Sequence, residues 1–291
     1  MHRRLASVPA ILLVGLCGSA PATAAQPVPT AYTVTDLGTY GDYVNRATVG
    51  AMVTGRTSAA MGGFASAALA INATGHVVGG SVTGPLQRLG RAGTHAFLWT
   101  EGTMTDLGAL PGGSFSVAVG INVADQIAGD ADVPGGEPHA VLWDHGSLID
   151  LGMPPGYVRS HARRISDAGQ IAGWVERTGL DGIPHARAFA YSDGTLRELG
   201  TLADLPESNA LGVNTAGQIV GTAGTVYGQN DVHDRAVLWN AGLVMDLNTL
   251  IPADTGWELQ SAEDINNAGQ IVGAGTIRGQ HHAFLLSPAA W

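Results

Sequence analysis

The chain has 291 residues with 14 Arg, no Lys and 24 Asp or Glu, so it is acidic overall, with a formal net charge of −10. That charge disfavours nucleic acid and anionic membrane as partners. A single cysteine, Cys17, excludes a disulfide framework and a thiolate metal site.

The N-terminus begins Met1-His2-Arg3-Arg4, continues through an apolar run from Val8 to Leu16, and closes on the small residues Ala22-Thr23-Ala24-Ala25. This order of basic, apolar and small residues predicts a secretory signal over 1–25, cleaved after Ala24 or Ala25. The apolar run is too short for a stable membrane span. The chain is therefore expected to be secreted or periplasmic. Cleavage removes Cys17 and leaves twelve Arg against twenty-four carboxylates, a net charge of −12 over a single domain, 26–291.

The next element is a lone strand, Tyr32-Thr33-Val34-Thr35-Asp36-Leu37-Gly38 (32–38). Residues 39–65 follow as an insertion that includes a candidate hairpin at Ala47–Thr54, read equally as a plug, a lid or an eroded repeat.

Five repeat units come next, around 66–108, 114–152, 158–200, 206–248 and 258–291. One phrase recurs at Ile71-Asn72, Ile121-Asn122, Ile165-Ser166, Val213-Asn214 and Ile265-Asn266, each running on to a second apolar segment that ends in Gly. A second recurs as His95-Ala96-Phe97-Leu98-Trp99, His139-Ala140-Val141-Leu142-Trp143, Arg187-Ala188-Phe189-Ala190-Tyr191, Arg235-Ala236-Val237-Leu238-Trp239 and His282-Ala283-Phe284-Leu285-Leu286. A third closes at Gly108, Gly152, Gly200 and Asn248, spaced 44, 48 and 48 residues apart. Turn formers between short apolar runs predict four antiparallel strands per unit, and four strands at this period match a propeller blade. The last unit stops after its third strand, whereas the chain opens with a lone fourth strand. The expected fold is therefore all-β: a five-bladed β-propeller of four-stranded antiparallel blades, closed by the N-terminal strand pairing into the last blade.

The three phrases together resemble the HAF family of probable extracellular repeat proteins, named for His-Ala-Phe, along the whole mature chain. Arg187 and Arg235 depart from the name. The resemblance implies secretion and architecture, and it carries no catalytic residue.

Alternation of strands puts the second-to-third connections on one face. From the second-strand glycine to the third strand these run to fifteen, nine, thirteen, thirteen and eight residues. Variable connections on a rigid scaffold usually carry binding. The expected ligand face spans Gly84–Thr94, Asp130–Pro138, Trp174–Ala186, Thr222–Asp234 and Ala274–His281, with Glu137, Trp174, Glu176, Asp181, Tyr227, Asp231, His233 and Asp234 as candidate binding residues. The repeated Asp36, Asp106, Asp150 and Asp246 read as turn caps. The repeated His reads as a hydrogen-bonding residue between strands or blades, because Arg stands in its place twice and a guanidinium does not ligate metal.

No hydrolase elbow, phosphate loop or zincin motif occurs. No metal or cofactor is expected, and the sequence assigns no catalytic residue. The leading expectation is a monomeric, non-enzymatic binding or surface-interaction module for a glycan, peptide or surface protein. The alternative is a carbohydrate-active hydrolase or lyase using acids on the ligand face.

Overall fold

A computed structural model describes residues 31–36, 66–83, 93–179, 182–224 and 234–289. The segment expected to be a leader (1–25), the insertion (39–65) and the candidates Asp181, Tyr227, Asp231 and His233 lie outside the described residues.

Twenty strands form five four-stranded antiparallel sheets. Blade 1 contains β2 (Ser66–Ile71), β3 (Val77–Val82), β4 (Thr94–Thr100) and β5 (Thr103–Asp106). Blade 2 contains β6 (Ser116–Ile121), β7 (Ile127–Asp132), β8 (Pro138–Asp144) and β9 (Ser147–Asp150). Blade 3 contains β10 (Arg159–Ile165), β11 (Ile171–Thr178), β12 (Pro184–Ser192) and β13 (Thr195–Glu198). Blade 4 contains β14 (Glu207–Val213), β15 (Ile219–Gly224), β16 (Arg235–Asn240) and β17 (Leu243–Asp246). Blade 5 contains β18 (Trp257–Ile265), β19 (Ile271–Ile277) and β20 (Gln280–Pro288), and its fourth strand is β1 (Tyr32–Asp36). Tyr32 pairs with Pro288 and Asp36 with Phe284, so the lone opening strand completes the last sheet as the repeat offset predicts. The chain is a five-bladed β-propeller. Its only helical segments among the described residues are two single turns, Leu247–Leu250 and Ala253–Thr255.

Each repeated residue has a local job. The Asn of the first turn accepts two backbone N–H groups through Oδ1: from Ala124 and Gln126 at Asn122, and from Ala216 and Gln218 at Asn214. Its Nδ2 then donates to the next blade, from Asn72 to Asn122 O, from Asn122 to Ser166 O and from Asn214 to Asn266 O, each at 3.0–3.1 Å. The third-to-fourth turns place two residues at positive φ, as in His145 (48°) and Gly146 (83°), the geometry that matches strand twist in a two-residue hairpin.

The second-strand glycine has a different cause. A Cβ on Gly129, Gly173 or Gly273 would lie 2.0 Å from a first-strand carbonyl oxygen, where the first strand carries a bulge. That glycine therefore does not end the strand. β11 runs on through Trp174 and Glu176 to Thr178, and β7 through Asp130 to Asp132. Much of what reads as loop in the sequence is strand.

The core lies between blades. Four apolar clusters exist, each made from two successive blades: Val78 and Ala96 with Ile121 and Trp143, Leu142 with Ile165 and Phe189, Ala172 with Ile219 and Trp239, and Leu238 with Leu259 and Phe284. Buried serines fasten three of these junctions. Ser116, Ser160 and Ser208 accept the N–H of Ala96, Ala140 and Ala188 on the preceding blade. At the fourth, Asn248 exchanges bonds with the backbone of Leu259.

No shared apolar cluster joins blades 5 and 1 among the described residues. Ile71 is 56% exposed, although its counterparts Ile121, Ile165, Val213 and Ile265 are all under 10%. Val272 is 39% exposed where Val78, Ala128, Ala172 and Val220 are fully buried. A recess of about 160 Å³ on this face of blade 5 is lined by Asp264, Asn266, Gln270, Val272 and Leu285, among others.

Candidate functional site

In blades 1 to 4 the repeated acid of the fourth strand is spent on the scaffold. His95 Nδ1 meets Asp106 at 3.0 Å and His139 Nδ1 meets Asp150 at 2.8 Å, each joining the third strand to the fourth within a blade. Where Arg replaces His, Arg187 meets Glu198 and Arg235 meets Asp246, both at 3.4 Å. Asp106 and Asp150 also accept the N–H of Gly108 and Gly152 and so cap the turn that follows.

Departures from the repeat collect elsewhere, at the junction of blades 2 and 3. In the β10–β11 hairpin, Arg159 stands opposite Glu176 and His161 opposite Trp174. Residues two apart on a strand share a face, so both cross-strand pairs project the same way. At the positions equivalent to His161 and Trp174 the other blades carry Ala67 opposite Gly80, Val117 opposite Asp130, Asn209 opposite Thr222 and Ser261 opposite Ala274, so a ring faces a ring in blade 3 alone. Blade 2 contributes Asp130 from β7 and the Gly136-Glu137-Pro138 segment that leads into β8. Together they enclose a cavity of about 460 Å³, lined by Gly136, Glu137, Pro138, Arg159, His161, Trp174 and Glu176. It opens on the face of the second-to-third connections.

The floor is largely buried and tightly bonded. The Glu176 side chain is 5% exposed; it accepts from Trp174 Nε1 at 3.0 Å and faces His161 Nε2 and Arg159 Nη1, each at 3.7 Å. His161 turns Nδ1 to Asp130 at 2.8 Å, and Asp130 also accepts the N–H of Ala162 at 2.8 Å. One Asp130 carboxylate therefore holds both the ring and the backbone of the next blade. The His161 and Trp174 rings stack with centroids 5.0 Å apart and planes at 27°. At the rim, Arg159 donates from Nε and Nη2 to the two oxygens of Glu137, whose side chain is 45% exposed. Hydrogen bonding to Glu137 raises the guanidinium pKa above its ordinary value, burial opposes the rise, and the attraction of Glu176 adds to it. The arrangement offers a ligand carboxylate acceptors, an aromatic surface and a fixed guanidinium. Among the described residues no group of three or more His, Cys, Asp or Glu is placed to hold a metal ion.

Three of the eight candidate residues, Glu137, Trp174 and Glu176, meet in this cavity. Trp174 and Glu176 do so from a strand rather than a loop, because the preceding glycine packs on a bulge. Asp234 stands immediately before β16 in blade 4 and does not line it. Arg159, His161 and Asp130 complete the site and are absent from the candidate residues. The signal for two of them is in the first strand of the third repeat, where Arg159 and His161 alternate with Ser160 and Ala162.

No family model matches the chain and no curated protein aligns with it significantly. Among solved structures, the β-propeller domain of the Trilobed protease from Pyrococcus furiosus is similar at 9% identity and a TM-score of 0.49, over 78% of this chain and 71% of that one. TolB from Acinetobacter baumannii is similar at 13% identity and a TM-score of 0.40, over 66% of this chain, which spans about half (48%) of TolB. Trypanosoma rangeli sialidase is similar at 13% identity and a TM-score of 0.38, over 77% of this chain and 45% of that one. At TM-scores below 0.5, the blade architecture of this chain rests on its own strand pairing.

Proposed function

We propose that this chain is an exported HAF-repeat propeller that acts as a non-enzymatic binding or surface-interaction module, with its ligand seated between blades 2 and 3. Export is read from the basic, apolar and small-residue order of 1–25. No helix among the described residues is long and apolar enough to cross a membrane.

One observation carries the binding reading: the non-repeated Arg159, His161, Trp174 and Glu176 converge with Glu137 on one open cavity, while the repeated polar residues serve the scaffold. The volume falls in the range of ligand pockets, roughly 300–1,000 Å³. Aromatic, guanidinium and carboxylate groups in one concavity suit a polar ligand with an apolar flank, such as a glycan. Each carboxylate here has a cationic or N–H partner, which orients it as an acceptor.

The second reading is a carbohydrate-active hydrolase or lyase. It is favoured by one feature, that Glu137 and Glu176 come from different blades and line the same cavity. A glycan array run beside a reducing-sugar release assay separates the two. Binding without turnover, lost in Trp174→Ala, supports the module; turnover abolished by Glu176→Gln with binding retained supports the enzyme.

A further inference from the structure

We infer that the ligand of this seat is a saccharide without an acidic group, either neutral or amine-bearing. The inference rests on the glycan reading of the cavity given above and adds its charge class.

Glu137 and Glu176 flank one permanent cation, Arg159, and a third carboxylate, Asp130, lies behind the lining against His161. That cation is committed: both Glu137 oxygens accept from it, and a Glu176 oxygen lies 3.7 Å from Nη1. A uronate, sialate or phosphate would have to compete with Glu137 and Glu176 for the guanidinium. It would then place a further negative charge beside Glu176, whose side chain is 5% exposed and poorly screened. Sugar hydroxyls meet no such obstacle, because they donate to carboxylate oxygens in charge-assisted bonds that are stronger than neutral ones. An amine gains the excess negative charge as well. Trp174 supplies the flat apolar surface against which a pyranose C–H face can lie. The acidity of the whole chain acts in the same direction at long range.

The test uses the full mature chain and a glycan array carrying matched neutral, amine-bearing and uronate forms of the same hexose oligomers. The expected result is retention of neutral or amine-bearing members, with the matched uronate at least ~10-fold weaker, equivalent to about 1.4 kcal/mol. The long-range part of that exclusion, from the acidity of the whole chain, should shrink at high salt. Glu137→Gln, at the exposed rim, releases Arg159 and should raise uronate binding relative to the neutral form by about 10-fold, with unchanged circular dichroism as the folding control. Uronates bound best by the unmodified chain, with binding lost in Trp174→Ala, would overturn the charge class and keep the seat. Retention of no saccharide, or retention unaffected by Trp174→Ala, would overturn the seat and the inference together.

Discussion

Gly173 shows how one missing side chain supports both fold and site. A Cβ there would sit 2.0 Å from the carbonyl oxygen of His161 and 3.0 Å from the Phe189 ring. Backbone at that distance cannot give way cheaply, so Gly173→Ala should cost about 1–3 kcal/mol or more in urea unfolding. It should weaken ligand binding too, because the displaced strand carries His161. Tyr32 makes a different point. It is 1% exposed, and its hydroxyl finds no hydrogen-bond partner among the described residues. Burial raises its pKa from near 10 to about 12. Tyr157 is also raised to about 12, first by burial and then by its hydrogen bond to Glu198. The unfolded chain therefore loses these protons at lower pH than the native one. Stability present below pH 10 should fall as pH climbs toward 12. Tyr32→Phe should leave neutral-pH stability unchanged or slightly higher and flatten that alkaline decline, as followed by denaturant titrations at pH 8, 10 and 11.

The first-turn Asn links its blade to the next at three junctions, and between blades 3 and 4 that link is missing. Blade 3 carries Ser166 where blades 1, 2, 4 and 5 carry Asn, and Ser166 only accepts the N–H of Gln170, at 3.3 Å. It has no amide with which to reach the carbonyl of Asn214. Ser166→Asn should restore that bond and stabilise the protein by about 0.5–1.5 kcal/mol, while Asn122→Ala, which removes the turn bonds and the link to blade 3 together, should cost about 1–3 kcal/mol. Both read out as shifts of the unfolding midpoint. These turns were legible from the sequence because Asn and Gly bracket two apolar runs with fixed spacing. The paired Arg159 and His161 were not. They occupy the variable positions of a strand recognised by its small residues, and only the register against Glu176 and Trp174 shows that they share a face. Glu137, Trp174 and Glu176 could be singled out because they depart from the repeat on the predicted ligand face.

At the scale of the molecule, four blade junctions share an apolar cluster among the described residues and the fifth, between blades 5 and 1, does not. Composition gives no hint of this, since Ile71 is the same residue type as Ile121, Ile165 and Ile265. What differs is coverage: 56% exposure against 9% at Ile165. Ile165→Ala should cost about 2–5 kcal/mol, while Ile71→Ala should stay within about 0.5 kcal/mol in the same unfolding assay. Equal losses would show that the fifth junction is packed in solution. The offset of the repeats against the chain ends was legible, because a unit without its fourth strand and a fourth strand without its unit require one another. Its cost is kinetic. Val34 and Leu286 are register partners lying at opposite ends of the sequence, and the entropy of bringing such distant segments together must be met before their bonds repay it. A circularly permuted chain that starts at Ser66, joins Pro288 to Tyr32 through a two-residue Asn-Gly turn and ends after Asp36 would turn this encounter into a local hairpin. Such a permutant should keep the native circular dichroism and refold faster in stopped-flow dilution from urea, at little change in the unfolding rate.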